Sequence, residues 1–399
     1  MKIIKQHGII LNKPDTITNL DIYKYLEMIG RTCYKSENKI DDTSAPKFID
    51  MLNRNHHWAM LEHYIFRIEV SQSILNAFGT LKGLGSPWIQ EALKYIQIVF
   101  YAHSVDNCDG LIIGSATAFN GLMEALVNSK PKIYNTSRKT AIWEIVHTIM
   151  YLHENYPSLV NSYEHYIENK EDYKEYKDFF ISYKNLPFSI MKTTRVVNDT
   201  YIAKLINIFN NESSEESKIT AQEIFEFATW FSVKLTTNRG VTHELCRHRP
   251  ASFAQESTRY CNYSNDKFGD EITVIDPIYY VKDSNVGNAG YLHHVWVDGC
   301  RYSEEVYMRQ IQNGATAQMA RGNLPTDIKA DLVITATLHE WHHIFHMRCE
   351  APAHPMVRDL MIPIMDETIN YYQDQGITLI SDYLSDIIRA WPDYIKKEK

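Results

Sequence analysis

The sequence predicts an α+β protein, and three observations carry that reading. Long stretches repeat apolar residues at helical spacing, and short segments alternate apolar with polar residues as strands do. Neither pattern recurs at a fixed interval that would mark a repeat array. At 399 residues the chain can bury a large core, and no polar run is long enough to be an interdomain linker. We read it as a single domain, 1–399.

The elements follow in order. Residues Asp21 to Cys33 place Ile22, Leu26, Ile29 and Cys33 on one helical face, and Pro46 suits the first turn of a second helix running toward His56. Tyr64 to Val70 puts Tyr64, Phe66, Ile68 and Val70 on one face and Arg67 and Glu69 on the other, the alternation of a half-buried strand. From about Ser71 to Glu226 the chain reads as mostly helical, with breaks at 83–87, at Pro131 and at the polar run Asn210 to Ser217. A strand is expected at Phe231 to Thr237. The turn Asn238-Arg239-Gly240 then leads into a short helix carrying His243, Glu244 and Arg247-His248-Arg249. Another strand, Glu271 to Ile275, ends at Asp276-Pro277.

The last third reads as helical. Tyr302 to Arg321 forms one amphipathic helix, Asn323-Leu324-Pro325 breaks it, and Thr326 caps a second helix reaching past Phe345. Ile334, Leu338, Trp341 and Phe345 share its core face, and the same face delivers Arg348 at its end.

The formal net charge is -8, which argues against general nucleic-acid binding, since that needs a basic face. There is no run of about 20 apolar residues, and the start of the chain is too polar for a signal peptide, so a soluble, cytoplasmic protein is expected. Six cysteines (Cys33, Cys108, Cys246, Cys261, Cys300, Cys349) lack any Cys-x-x-Cys pair, which predicts reduced thiols rather than disulfides or a thiolate metal site. Many of the 26 tyrosines lie between Tyr163 and Tyr183, where packing against a helix is the ordinary role.

Against this acidic balance, Arg247-His248-Arg249 gathers three potential cations, followed by Ser257 and Arg259-Tyr260. An Arg-x-Arg pair on an exposed helix is usually a solvated face, but cations concentrated against the net charge suit an anion, phosphate above all. The spacing sharpens the choice. Arg-His-Arg, seven residues, Ser, then Arg-Tyr resembles the signature of the flavin-dependent thymidylate synthases.

Further blocks resemble the same family in the same order. His57-Trp58-Ala59-Met60-Leu61-Glu62-His63 is similar to its His-x4-Glu-His element, and Glu244 stands where the family carries Gln or Glu on the nucleotide. Arg321 in Ala320-Arg321-Gly322-Asn323-Leu324-Pro325 and Arg348, twenty-seven residues later, resemble its two remaining nucleotide-binding arginines. The likeness covers roughly residues 20 to 70 and 228 to 365, leaving 71–227 as a largely helical insertion of unassigned role.

The resemblance implies a central mixed β-sheet packed by long α-helices, and a homotetramer with sites shared between subunits. It implies a methyltransferase that converts dUMP to dTMP, with carbon from 5,10-methylenetetrahydrofolate and hydride from FAD reduced by NADPH. It assigns dUMP to Glu244, Arg247, Gln255, Glu256, Ser257, Thr258, Arg259, Arg321 and Arg348. FAD falls to Ala59, Arg247, His248, Arg249, Gln255, Thr337, His339 and His343. Catalytic roles fall to Arg348, which favours the enolate-like pyrimidine, and to Ser257 and His57. Ser257 suits a phosphate donor, with Arg259, Arg321 and the backbone of Glu256 and Thr258. The sequence departs from the family at Gln255, where many members have Glu, and at Thr337, His339 and His343, where relatives commonly place Asn, Arg and Asn. No Pro-Cys-His, the nucleophile context of the other thymidylate synthase class, occurs.

Two other readings compete. His339-Glu340-Trp341-His342-His343 is a literal His-Glu-x-x-His, the zinc hydrolase pattern, continued by His346 and Glu350. The altered positions Thr337, His339 and Gln255 would also suit a non-catalytic remnant that binds nucleotide or flavin. Of the three we expect the synthase, with no resident metal.

Overall fold

The computed structural model describes residues 1–14, 16–83, 86–128, 136–167, 194–280 and 287–392. Its strands, in chain order, are β1 Lys2–Ile4, β2 His7–Leu11, β3 Ile65–Val70, β4 Gln97–Val105, β5 Cys108–Ser115, β6 Arg195–Val196, β7 Trp230–Asn238, β8 Ser252–Gln255, β9 Thr273–Ile275 and β10 Lys329–Thr337. The protein is α+β, as the sequence predicts. It divides into two compact units, one of Met1–Asn12, Met28–Lys39 and Phe231–Lys399, the other of Lys13–Glu27 and Ile40–Trp230.

The first unit is built on a four-stranded sheet of order β2-β7-β10-β8, with β2 antiparallel to β7 and β8 antiparallel to β10. A two-stranded parallel sheet pairs β1 with β9. In β10, Ala330, Leu332, Val333 and Ile334 are wholly buried. The sequence reading ran a helix through this segment, and the structure corrects it. Burial of both faces erases the polar alternation that identifies a strand, so a short apolar run cannot be told from helix by period. The β-branched Val333, Ile334, Thr335 and Thr337 favour the strand.

The helix proper is Leu338–Cys349, starting where the sheet ends. Leu338, Trp341 and Phe345 are buried as expected, with Trp341 stacked on Phe231 at 4.8 Å and its indole N–H donating to the Phe231 carbonyl at 3.1 Å. The long helix Pro355–Asp374 lies close to β2, and Gly8 makes room for it. A Cβ at Gly8 would sit 2.5 Å from Cδ1 of Ile364. The expected helix Tyr302 to Arg321 begins earlier and stops sooner, as Ala289–Gln312, because Gly314 takes φ 89 just past its end.

The second unit holds the antiparallel sheet β4-β5-β3-β6 with helices including Gln72–Lys82, Ala116–Asn128 and Asp199–Asn210. Strands β4 and β5 fall inside the segment read as mostly helical. Their turn is Asp106-Asn107, both at positive φ (53 and 66), the chemistry of a tight hairpin. The unit is larger than the segment 71–227, because β3 is an inner strand of its sheet.

That inner position also changes the reading of β3. Arg67 and Glu69 are buried rather than solvated: Arg67 pairs with Asp199, and Glu69 accepts from Tyr101 at 2.9 Å and from Arg195 at 2.5 Å. Lys13 reaches Asp199 at 2.7 Å. Burial pulls the Asp199 carboxyl up, but Lys13 and Arg67 outweigh it and hold it well below its usual range. Burial in turn lowers Lys13 to about 8. The expected break at Pro131 and most of the tyrosine-rich stretch lie outside the described residues.

Candidate active site

The Arg-His-Arg triplet sits just past a short helix, Arg239–Leu245. Asn238 caps that helix through Oδ1, which accepts from the Val241 amide at 2.8 Å, so the expected turn is an N-cap. Leu245 anchors the helix in the core, and the chain turns at Cys246. The turn sends His248 inward and leaves Arg247 and Arg249 exposed.

His248 meets the helix Leu338–Cys349. Its Nε2 accepts the Nε–H of Arg348 at 2.9 Å, and its Nδ1 lies 3.8 Å from Oε1 of Glu340. Arg348 also donates from Nη1 to Oε2 of Glu244 at 2.9 Å and from Nη2 to the Glu244 carbonyl at 2.8 Å. Three of its five N–H donors are thereby taken. The ring of His343 stands 5.5 Å from that of His248. Residues a hundred positions apart in sequence thus close on one guanidinium.

The electrostatics follow from burial. His248 is held down to about 4, by desolvation first and then by the Arg348 charge, so it is neutral at pH 7. An imidazole whose Nε2 accepts from a guanidinium carries its proton on Nδ1. Burial raises the Glu340 carboxyl to about 7. Its Oε1 is buried with no hydrogen-bond partner among the described residues, since 3.8 Å is too long for one. Burial also lowers Arg348, against the pull of Glu244, but a guanidinium stays charged.

Among the described residues, His248, Glu340 and His343 are the one group with three potential metal-ligand atoms within 4.8 Å of one another. It is not the group that the His-Glu-x-x-His pattern predicts. His339 is exposed and lies outside it, His342 faces Asp386 at 3.1 Å, and His346 faces Glu350 at 3.4 Å. The proton on Nδ1 of His248 also occupies the lone pair that a metal there would need.

The residues after β8 form a second cluster. Gln255 donates to the Thr242 hydroxyl at 2.6 Å. Glu256 is 1% exposed and accepts from Lys329 at 2.6 Å, from the Asp331 amide at 3.2 Å and from the Tyr263 hydroxyl at 3.3 Å. Lys329 also lies 3.2 Å from Asp331, which pairs in addition with Lys35. Burial pushes Asp331 up, yet the two lysines outweigh it and hold it at about 2. The side chain of Glu256 is therefore a structural acceptor. Its amide already donates to the Asp331 carbonyl at 2.8 Å, so the expected backbone donor at Glu256 is taken.

Ser257 directs its amide to the Cys33 carbonyl, while its hydroxyl accepts from the Arg259 amide at 3.3 Å. No acidic or imidazole side chain bonds that hydroxyl among the described residues, so it lacks the base a nucleophile requires. Thr258 is buried. Arg259 is exposed and donates to Gln318 at 3.0 Å, three residues before the exposed Arg321. Thr337 holds the N-cap position of Leu338–Cys349, and His339 and His343 are exposed on its first turns. Arg249 lies over the Phe253 ring at 5.3 Å and donates to the Cys246 and His248 carbonyls. Arg247, Arg249, His339 and His343 are exposed side chains of the kind that can donate to an anionic dinucleotide.

His57 and Ala59 belong to the second unit, both exposed, at the entrance to the 3-10 helix Trp58–His63. Sequence reasoning overlooked Lys329, Asp331 and Lys35. Their signal was faint: alternate charged residues at the start of a segment that reads as a helix.

Residues 190–371 match the family model described as "Thymidylate synthase complementing protein". That span contains every candidate site residue except His57 and Ala59. A protein of Pyrococcus abyssi named flavin-dependent thymidylate synthase is 29% identical over 147 residues, 37% of this chain and 57% of that protein. One of Pyrococcus horikoshii with the same name is 32% identical over the same length and shares. A third, from Geobacter sulfurreducens, is 25% identical over 144 residues, 36% of this chain and 58% of its own. The chain thus spans less than two thirds of the length of these relatives.

Proposed function

We propose, for a chain whose residues 190–371 match the family model described as "Thymidylate synthase complementing protein", that it is a flavin-dependent thymidylate synthase. The reaction is methylation of dUMP at C5. Methylenetetrahydrofolate gives the carbon and NADPH the reducing equivalents, so the folate leaves as tetrahydrofolate. FAD, when bound, supplies the hydride. The donors suited to it are Arg247, Arg249, His339 and His343, with His248, Gln255, Thr337 and Ala59 as further contacts.

The observation that carries this reading is the held guanidinium. Arg348 is fixed by His248 and Glu244, half-buried, with two N–H donors not used among the described residues. A fixed, partly desolvated donor is what an anion developing on a pyrimidine needs, because it requires no reorganisation as charge appears. Each charged hydrogen bond of this kind contributes roughly 1.5–3 kcal/mol. Arg259, Arg321 and the Ser257 hydroxyl supply donors for the nucleotide phosphate. Thr258 and Glu256 hold the loop that carries them, Arg247 is shared between the ligands, and His57 faces the folate and flavin. Further parts of the proposal are a homotetramer and a cytoplasmic location.

The test is the visible spectrum of the purified protein with added FAD, titrated with dUMP. A saturable spectral shift supports both ligands in one site. Absence of flavin binding refutes the proposal, and growth of a thymidine-requiring cell separates an enzyme from a remnant.

A further inference from the structure

We infer that Glu340 is a positioning residue: its carboxylate backs the Nδ1–H of His248, and His248 in turn holds Arg348 through Nε2. The inference rests on the synthase reading only for what Arg348 is held to do.

The argument begins from a buried oxygen. Glu340 is 4% exposed, and its Oε1 has no hydrogen-bond partner among the described residues. A buried acceptor left unmade is costly, so its retention asks for a use. The polar hydrogen that Oε1 faces is on Nδ1 of His248, and a closure of under about 1 Å would make the bond. His248 cannot change tautomer without consequence, because a proton on Nε2 would meet the Nε–H of Arg348 head-on. The chain Glu340, His248, Arg348 therefore has one consistent direction of donation: Arg348 Nε–H to Nε2, and Nδ1–H toward Oε1. Glu244 closes the guanidinium from the other side.

The same carboxyl gives the relay a pH response. Burial alone raises Glu340, and no hydrogen bond holds its charge. Ionised, it attracts Nδ1–H and makes Nε2 a stronger acceptor for Arg348; protonated, it releases that hold. The titratable groups beside it are His343 on its own helix and His248 on the turn after Arg239–Leu245, and the charges of Arg348 and Arg249 act on His248.

The test is 15N NMR of the full chain labelled at histidine, with His248 assigned by the signals lost in His248→Gln. We expect the neutral Nδ1–H tautomer in the wild type, with an Nε2 shift that moves through a midpoint of about 7. Glu340→Gln should keep the tautomer, since an amide oxygen still accepts, but lose that step. Glu340→Ala should keep the tautomer, which the Nε–H of Arg348 still sets, and should also lose that step. An Nε2–H tautomer in the wild type, or a step that survives in Glu340→Gln or in a folded Glu340→Ala, would each overturn the inference. So would loss of the His248 and His343 signals on one equivalent of zinc, which would make the three residues a metal site. These readouts need neither nucleotide nor flavin. A protein that passes them yet binds no dUMP refutes the synthase reading and leaves the relay standing.

Discussion

Replacing Glu340 with glutamine should stabilise the protein at alkaline pH and do little at acid pH. The wild-type carboxyl titrates at its ordinary 4.5 in the unfolded chain and at about 7 when folded. Between those values the native state keeps a proton that the unfolded state has lost, so stability falls as pH rises through the window. At about 1.4 kcal/mol per unit, the penalty reaches up to about 3 kcal/mol by pH 8 and is under about 1 kcal/mol at pH 5. Glutamine has no charge to desolvate. Because Oε1 has no partner, the substitution also sacrifices no bond at that atom. Urea unfolding of both proteins at pH 5 and pH 8 reads the difference directly. The gap between the variants should widen by about 2 kcal/mol in favour of glutamine. Parallel pH dependences would refute the reasoning, because they would mean that burial does not oppose the Glu340 charge.

Other perturbations read other parts of the structure. Lys329→Met leaves Glu256 buried with only the Asp331 amide and Tyr263 as partners, and should cost about 3–5 kcal/mol in urea unfolding, partly recovered by adding Glu256→Gln. A cost below about 1 kcal/mol would show that the pair is not buried in solution. Asp331, held at about 2, contributes stability that is present above its ordinary 3.8 and fades as pH falls toward 2, so acid unfolding of Asp331→Asn should start from a weaker protein and change less over that range. Gly8→Ala should cost about 1–3 kcal/mol by driving a Cβ into Ile364, and Ile364→Ala in the same chain should cost less than the two single changes combined. Arg348→Ala should raise His248 from about 4 toward, but not to, its ordinary 6.5, because burial is the larger cause. It should also cut turnover by about a hundredfold while flavin stays bound.

Local chemistry made much of this protein legible in its sequence. Asn238 reads as a turn and acts as a cap. The apolar spacing of Leu338, Trp341 and Phe345 reads as a core face and packs as one. The cation cluster at Arg247 to Arg249, its spacing to Ser257, and Arg348 mark the candidate site without coordinates, since they are fixed residue types at fixed intervals. What failed was whatever depended on long-range burial. The segment Lys329–Thr337 lost its strand signature because both its faces are covered. Arg67 and Glu69 look solvent-facing because nothing within β3 announces that β5 and β6 flank it and that Asp199, Tyr101 and Arg195 receive its charges. The partners that bury Glu256 are equally silent in the sequence, since Lys329 lies seventy-three positions away. Sequence alone determined which residues are present to do chemistry. Which of them have donors to spare was decided by the tertiary structure, because hydrogen bonds and desolvation are set by neighbours that the chain brings in from far along its length.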